Sequence, residues 1–168
     1  TIRALVEDSA GGIWVGSEGG GLDRFDPRSG SFSHHRQSTQ PGGLPDDRVQ
    51  ALLIDRQGTL WVGTWAGLSR RQSGSDHFEP VFSGKAARGG ASLAGRIVQA
   101  LFEASDGRIW VGTQQGDLAI VDPATATGQL LEYAPGVANR GAVSSLVEAG
   151  GQMWVGRSSG IELYDPRR

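Results

Sequence analysis

Ile13-Trp14-Val15-Gly16 recurs as Leu60-Trp61-Val62-Gly63, Ile109-Trp110-Val111-Gly112 and Met153-Trp154-Val155-Gly156. The tryptophans stand 47, 49 and 44 residues apart. A repeat of roughly 40–50 residues built from several short strands marks a stacked β array such as a propeller. Within the repeated word, Trp14 leaves one face of the strand while Ile13 and Val15 leave the other. Both faces are apolar, so the strand calls for cover on both sides, which a blade between two others receives. The glycine that follows lets backbones approach closely where blades crowd. Trp14, Trp61, Trp110 and Trp154, with Gly16, Gly63, Gly112 and Gly156, are therefore read as structural repeat residues rather than functional ones.

Outward from each tryptophan the same units appear. An apolar strand precedes it, at Ile2–Val6, Val49–Leu53, Val98–Phe102 and Val143–Val147. Gly-bearing acidic turns such as Asp55-Arg56-Gln57-Gly58 join the two as antiparallel hairpins. A third strand follows at Leu22–Phe25, Leu68–Arg71, Leu118–Val121 and Ile161–Tyr164, closed by Asp-Pro in every unit but the second. Proline removes a ladder donor and presets a turn, so it suits a strand end. A fourth strand is expected near Ser31–Arg36, Phe78–Phe82 and Gln129–Tyr133.

Four antiparallel strands per repeat make one propeller blade. The expected architecture is all-β, a partial propeller of blades at 1–47, 48–96, 97–142 and 143–168, the last lacking its outer strand. The chain opens on Thr1 and stops on Asp165-Pro166-Arg167-Arg168, and is expected to be an excised piece of a longer protein. Apolar faces are expected open at both ends of the array. They would be covered by additional blades or by a second copy that completes a ring.

Bulk composition narrows the function classes. Glycine supplies 27 of 168 residues, about twice the usual share of roughly 7%, and its regular placement marks turns rather than disorder. Sixteen basic residues against 18 acidic ones give a net charge of −2, with no basic stripe to suit nucleic acid. No apolar run approaches a membrane span, so no membrane contact is expected within this chain. The absence of cysteine excludes disulfides, zinc-thiolate sites and thiol catalysis.

The unit Val-Gln-Ala-Leu, then Gly58-Thr59-Leu60-Trp61-Val62-Gly63-Thr64 and Gly67-Leu68, closely resembles the two-component regulator propeller repeat. Arg24-Phe25-Asp26-Pro27-Arg28-Ser29-Gly30 and the connector Gly43-Leu44-Pro45-Asp46-Asp47-Arg48-Val49 are similar to it as well, and the resemblance runs almost end to end. It implies a periplasmic, non-enzymatic sensor region of a bacterial membrane-anchored receptor. Such a region would pass ligand or dimerisation state to a kinase or cyclase module. Some members of the family sense oligosaccharides, so an oligosaccharide or another small ligand is the expected partner. Two departures stand out: Arg71-Gln72-Ser73 replaces the usual apolar residue and Asp-Pro, and Arg157 replaces Ser17, Thr64 and Thr113.

Catalytic and metal-site patterns are missing from the sequence, and no cofactor is expected. His34 and His35 are neighbours on a strand and leave opposite faces; with His77 they read as exposed outer-strand histidines. No calcium-loop spacing, phosphate loop or nucleophile elbow occurs. Ligand binding has better support in the loops that enter each first strand and those that follow each second strand. These place Arg48, Arg96 and Arg140 in one set, and Glu18, Trp65, Gln114 and Arg157 in the other. Trp65, the tryptophan outside the repeat, suits a sugar-stacking platform or interface anchor, or a hydrophobic plug. The arginines suit a cationic rim for a carboxylated or sulfated ligand, or ordinary solvated positions. An interaction and dimerisation scaffold is the alternative function, and a propeller lyase or hydrolase the weaker one.

Overall fold

A computed structural model describes residues 1–83, 92–131 and 141–165. Its strands form four antiparallel sheets in which sequence neighbours are spatial neighbours. Blade 1 holds β1 (Ile2–Glu7), β2 (Ile13–Ser17), β3 (Gly21–Asp26) and β4 (Ser31–His35). Blade 2 holds β5 (Val49–Ile54), β6 (Leu60–Thr64), β7 (Gly67–Arg71) and β8 (Glu79–Val81). Blade 3 holds β9 (Val98–Glu103), β10 (Ile109–Thr113), β11 (Leu118–Asp122) and β12 (Thr127–Leu130). Blade 4 holds β13 (Val143–Ala149), β14 (Gln152–Arg157) and β15 (Gly160–Tyr164), three strands among the described residues.

The outer strands are the least regular. β8 is shorter than the expected Phe78–Phe82, because Phe78 and Phe82 turn into the core at either end of it. β12 starts earlier than expected, at Thr127, and Tyr133 lies outside the described residues. A register shift recurs where each first strand meets its tryptophan strand, as between Ile2 and Ala4 and between Val49 and Ala51. Such a bulge bends the strand and increases its twist. Gly58 and Gly107 sit at the same place in their hairpin turns, each at φ 84°, a conformation that favours glycine.

Each interface between blades joins unlike faces. One blade presents its tryptophan side, and the next presents the side bearing the residues that flank its own tryptophan. Between blades 1 and 2, Trp14 and Leu22 meet Leu60 and Val62. Between blades 2 and 3, Trp61 and Leu68 meet Ile109, Val111 and Val121. Between blades 3 and 4, Trp110 and Leu118 meet Met153 and Val155. The core is thus three separate layers, and each fully buried aromatic stabilises its layer by about 1.5–3 kcal/mol.

The glycine after Trp-Val seals these layers in blades 1, 2 and 3. A Cβ on Gly63 would lie 2.7 Å from both the carbonyl oxygen and a methyl of Val98 in the next blade, and one on Gly112 would lie 2.3 Å from a Val143 methyl. Among the described residues, two faces are left without a layer. Leu5 and Phe32 are exposed on blade 1, and Val147, Trp154, Ile161 and Leu163 on blade 4.

Candidate functional site

The predicted binding loops gather at one end of the sheets, and backbone hydrogen bonds knit them together across blades. The β2–β3 turn donates from Gly19 and Gly21 to the Asp47 carbonyl, at 3.1 and 2.8 Å. Trp65 of the β6–β7 turn donates to the Arg48 carbonyl at 3.2 Å, and Gly95 donates to the Ala66 carbonyl at 3.1 Å. In the next blade, Gln114 donates to the Ile97 carbonyl at 2.9 Å, while the Gln115 side chain accepts from the Ile97 amide at 3.1 Å. Satisfying these backbone groups makes one continuous loop surface of separate turns.

On that surface most charged side chains are already paired. Arg48 donates to the buried Asp46 through Nε at 2.8 Å and Nη2 at 2.5 Å. Those bonds, opposed by desolvation, hold the Asp46 carboxyl below its ordinary value. The Arg48 guanidinium also lies over the Trp65 ring, 4.3 Å from its centroid, a cation–π contact that covers one face of a half-buried indole. Arg96 pairs with Asp117 at 3.1 Å, Glu18 accepts from Arg3 Nε at 2.9 Å, and Gln114 is exposed. Arg140 lies outside the described residues.

Arg157 does not stand on the rim as an exposed cation. Its side chain is fully buried, with Nε donating to Glu162 at 2.7 Å and Nη1 to the Gly116 carbonyl of blade 3 at 2.7 Å. Its counterpart Thr64 makes only local turn bonds, to the Gly67 carbonyl and the Ala66 amide. The change from Thr to Arg converts a turn residue into a clasp between blades.

The histidines divide. His34 is exposed beside Asp23, with Nδ1 2.8 Å from the carboxylate, and His77 is exposed. His35 departs from the expected exposure: it turns inward against Trp14 and Phe78, at ring distances of 5.4 and 5.3 Å. Alternation on β4 separates the two side chains, and blade 2 then covers only the face that His35 takes. Among the described residues, no three of His, Asp and Glu gather as a metal site.

Four antiparallel sheets stacked around their first strands are blades of a β-propeller. The family model described as Two component regulator propeller matches residues 1–19, 43–66 and 92–115, so its repeat is present at those three stretches. Those stretches are a first strand and a tryptophan strand from three of the four units, with the preceding connector in the second and third, a narrower match than the end-to-end resemblance of the sequence. The chain is similar in fold to the extracellular domain of the hybrid two component system BT4673 from B. thetaiotaomicron, with a TM-score of 0.80 and 22% identity. It covers 99% of this chain and 24% of that one.

A second similar structure is the extracellular domain of the hybrid two component system BT3049 from the same organism, with a TM-score of 0.71, 21% identity and coverage of 99% and 20%. The chain thus spans about a fifth to a quarter of the length of these structures. A third is virginiamycin B lyase from Staphylococcus aureus, with a TM-score of 0.66, 14% identity and coverage of 96% and 54%. No curated protein matches the chain. No helix is long and apolar enough to cross a membrane.

Proposed function

We propose that this chain is a non-catalytic section of the periplasmic sensor propeller of a bacterial membrane-anchored receptor, with further blades of the same receptor covering its open faces. The observation that carries this reading is the pair of open faces. Blade 1 offers the Leu5 and Phe32 side and blade 4 offers the Trp154 side, the two unlike halves of the interface that repeats inside the array. The family of the repeats and the larger size of the similar extracellular domains support it. A ligand, an acidic oligosaccharide by its chemistry, docks on the loop surface around Trp65, Arg48 and Arg96, with Glu18 and Gln114 at the margin. Occupancy, or contact between propellers, is then passed to a kinase or cyclase module.

Arginine pairs favour such a ligand because a carboxylate or sulfate can take the guanidinium fork that Asp46 or Asp117 now holds. Titration of the whole extracellular region with acidic and neutral oligosaccharides tests the reading. Acidic members should bind, and Arg48→Ala or Arg96→Ala should weaken them about tenfold, a loss of about 1.4 kcal/mol. Unchanged isotherms in both variants would sink it. The lyase alternative has the fold of virginiamycin B lyase in its favour. Against it, His34 and His35 stand on outer strand β4, where Asp23 and the Trp14 ring engage them, and His77 stands in the β7–β8 connection, so none lies on the β2–β3, β6–β7 or β10–β11 turns.

A further inference from the structure

The interface between blades 1 and 2 carries a charged residue at a position where the other two do not. On each third strand, the residue that ends the core-facing row lies over the tryptophan of the preceding blade. Val121, paired in register with Ile109, packs in the layer of Trp61. Tyr164, paired with Met153, meets Trp110 edge-on at 6.3 Å. In blade 2 the residue is Arg71, paired with Leu60, and its guanidinium carbon lies 5.0 Å from the centre of the Trp14 ring.

A long charged side chain does not fill the layer as a branched hydrocarbon does, and a cavity of about 380 Å³ opens there. Asp8, Arg24, His35, Arg71 and Asp76 are among its walls, with Trp14 behind them. It lies at the end of the sheets that carries the β1–β2 and β7–β8 turns, opposite the loop surface around Trp65.

The charges in this cavity are unevenly matched. Asp8 is fully engaged, accepting from Arg24 Nε at 2.6 Å, Trp14 Nε1 at 3.0 Å and the amides of Ala10 and Gly12. Arg71 is not. Its ion pair is with Asp76 at 3.4 Å, from a carboxylate whose side chain is 93% exposed. Its buried Nε has no hydrogen-bond partner among the described residues. An unmade donor of this kind leaves the guanidinium under-satisfied, and the end of it that meets an anion is Nη2, where the exposed Asp76 now sits. Ser33, Ser73 and His35 border the same space.

We propose that this cavity binds a small hydroxylated carboxylate. Its carboxylate takes the Arg71 fork in place of Asp76, and its hydroxyls meet Ser33, Ser73 and His35. The volume falls in the range of small-molecule sites, and a planar guanidinium matches a carboxylate in a bidentate manner. Asp76 gives way readily because solvent takes it back. His35 reports the event: burial and Arg71 depress its protonation, with Asp76, Asp23 and Arg36 the other charges facing it. An arriving anion favours its protonated form.

The test is a titration of the 168-residue chain with D-gluconate, sorbitol and sulfate in parallel, followed by calorimetry and by the Trp14 indole N–H resonance. Gluconate should shift that resonance saturably. Sorbitol, which lacks the carboxylate, and sulfate, which lacks the hydroxyls, should each bind at least tenfold more weakly. Arg71→Val borrows the residue that blade 3 uses, so it should keep the fold and the thermal midpoint while weakening gluconate at least tenfold. The proposal is overturned by the absence of a saturable gluconate shift, by sorbitol or sulfate binding as tightly, or by a folded Arg71→Val variant that binds gluconate unchanged.

Discussion

Trp61 and Trp154 hold the same register in blades 2 and 4, yet the first has no exposed surface and the second is 38% exposed. Their own strands treat them alike: each pairs with a first strand on one side and a third strand on the other. What differs is the neighbour. Blade 3 lays Ile109, Val111 and Val121 over Trp61, and no described element does so for Trp154. The tryptophan is therefore half of an interface rather than the core of a blade. An array built this way is extendable at either end by the same contact.

The largest expected effect breaks this contrast directly. Trp61→Ala should cost about 3–5 kcal/mol, the range for large aromatic truncations in a closed core. Trp154→Ala in the same chain should cost clearly less, about 1–2 kcal/mol, since more than a third of the ring is exposed and no described element packs over it. Urea midpoints of the two variants measure the difference. Equal losses would mean that each blade is stable by itself and that the layers between blades contribute little.

Acid stability sharpens the contrast from another side. The Asp8 carboxyl is partly desolvated, which alone would raise its pKa. The Arg24 bonds and the amides of Gly12 and Ala10 outweigh this and hold it down from 3.8 to about 2. A depressed folded pKa contributes stability that is complete above the unfolded value and disappears as pH falls through the folded one. Between about pH 4 and pH 2 the chain should lose on the order of 2 kcal/mol from this group. Asp8→Asn should flatten that limb of the stability–pH curve. An unchanged slope would show that Asp8 is not held by Arg24 in solution.

Glycine substitution compares an interior layer with an open face. Gly63→Ala forces a methyl against the Val98 backbone and should cost about 1–3 kcal/mol. Gly156→Ala meets first the Ser145 hydroxyl of its own blade, which can rotate away, and should cost about 0.5 kcal/mol or less. Reversal of that order would contradict the packing of the layers.

Much of the fold was readable in the repeated word, because alternation assigns faces and the 44 to 49 residue spacing assigns units. The candidate site was readable only in part. Sequence position placed Arg48, Trp65 and Arg96 at one end of the sheets, where the loops do meet. It could not reveal that Arg157 reaches the Gly116 carbonyl 41 residues away and is buried by doing so. Nor could strand alternation say which of His34 and His35 a neighbouring blade would cover. The odd Arg71 was visible as a broken packing position, while its meaning depended on Trp14 in another blade. Partners across a layer are long-range facts, and a repeat hides them by making every copy look alike.

The smallest effect tests whether that likeness can be restored. In blades 1 and 2 an aspartate at the head of the hairpin turn accepts from the tryptophan ring, Asp8 from Trp14 at 3.0 Å and Asp55 from Trp61 at 2.8 Å. Blade 3 has the buried Ala104 there, and Trp110 Nε1 is buried with no hydrogen-bond partner among the described residues. The turn itself is unchanged: Ala104 and Gly107 make the same two backbone bonds as Asp55 and Gly58. Ala104→Asp should therefore place its carboxylate under the Trp110 indole, with the Arg56 guanidinium already 2.6 Å from the residue 104 carbonyl as a countercharge. Pairing an orphaned buried donor should stabilise the chain by about 1 kcal/mol, a shift readable as a higher urea midpoint. Trp110→Phe should abolish the gain, because it removes the donor and keeps the ring. A loss of stability in Ala104→Asp would instead mean that desolvating the new carboxylate outweighs its bonds, and that the blade 3 layer tolerates its unpaired indole because Tyr164 and Met153 pack it apolar.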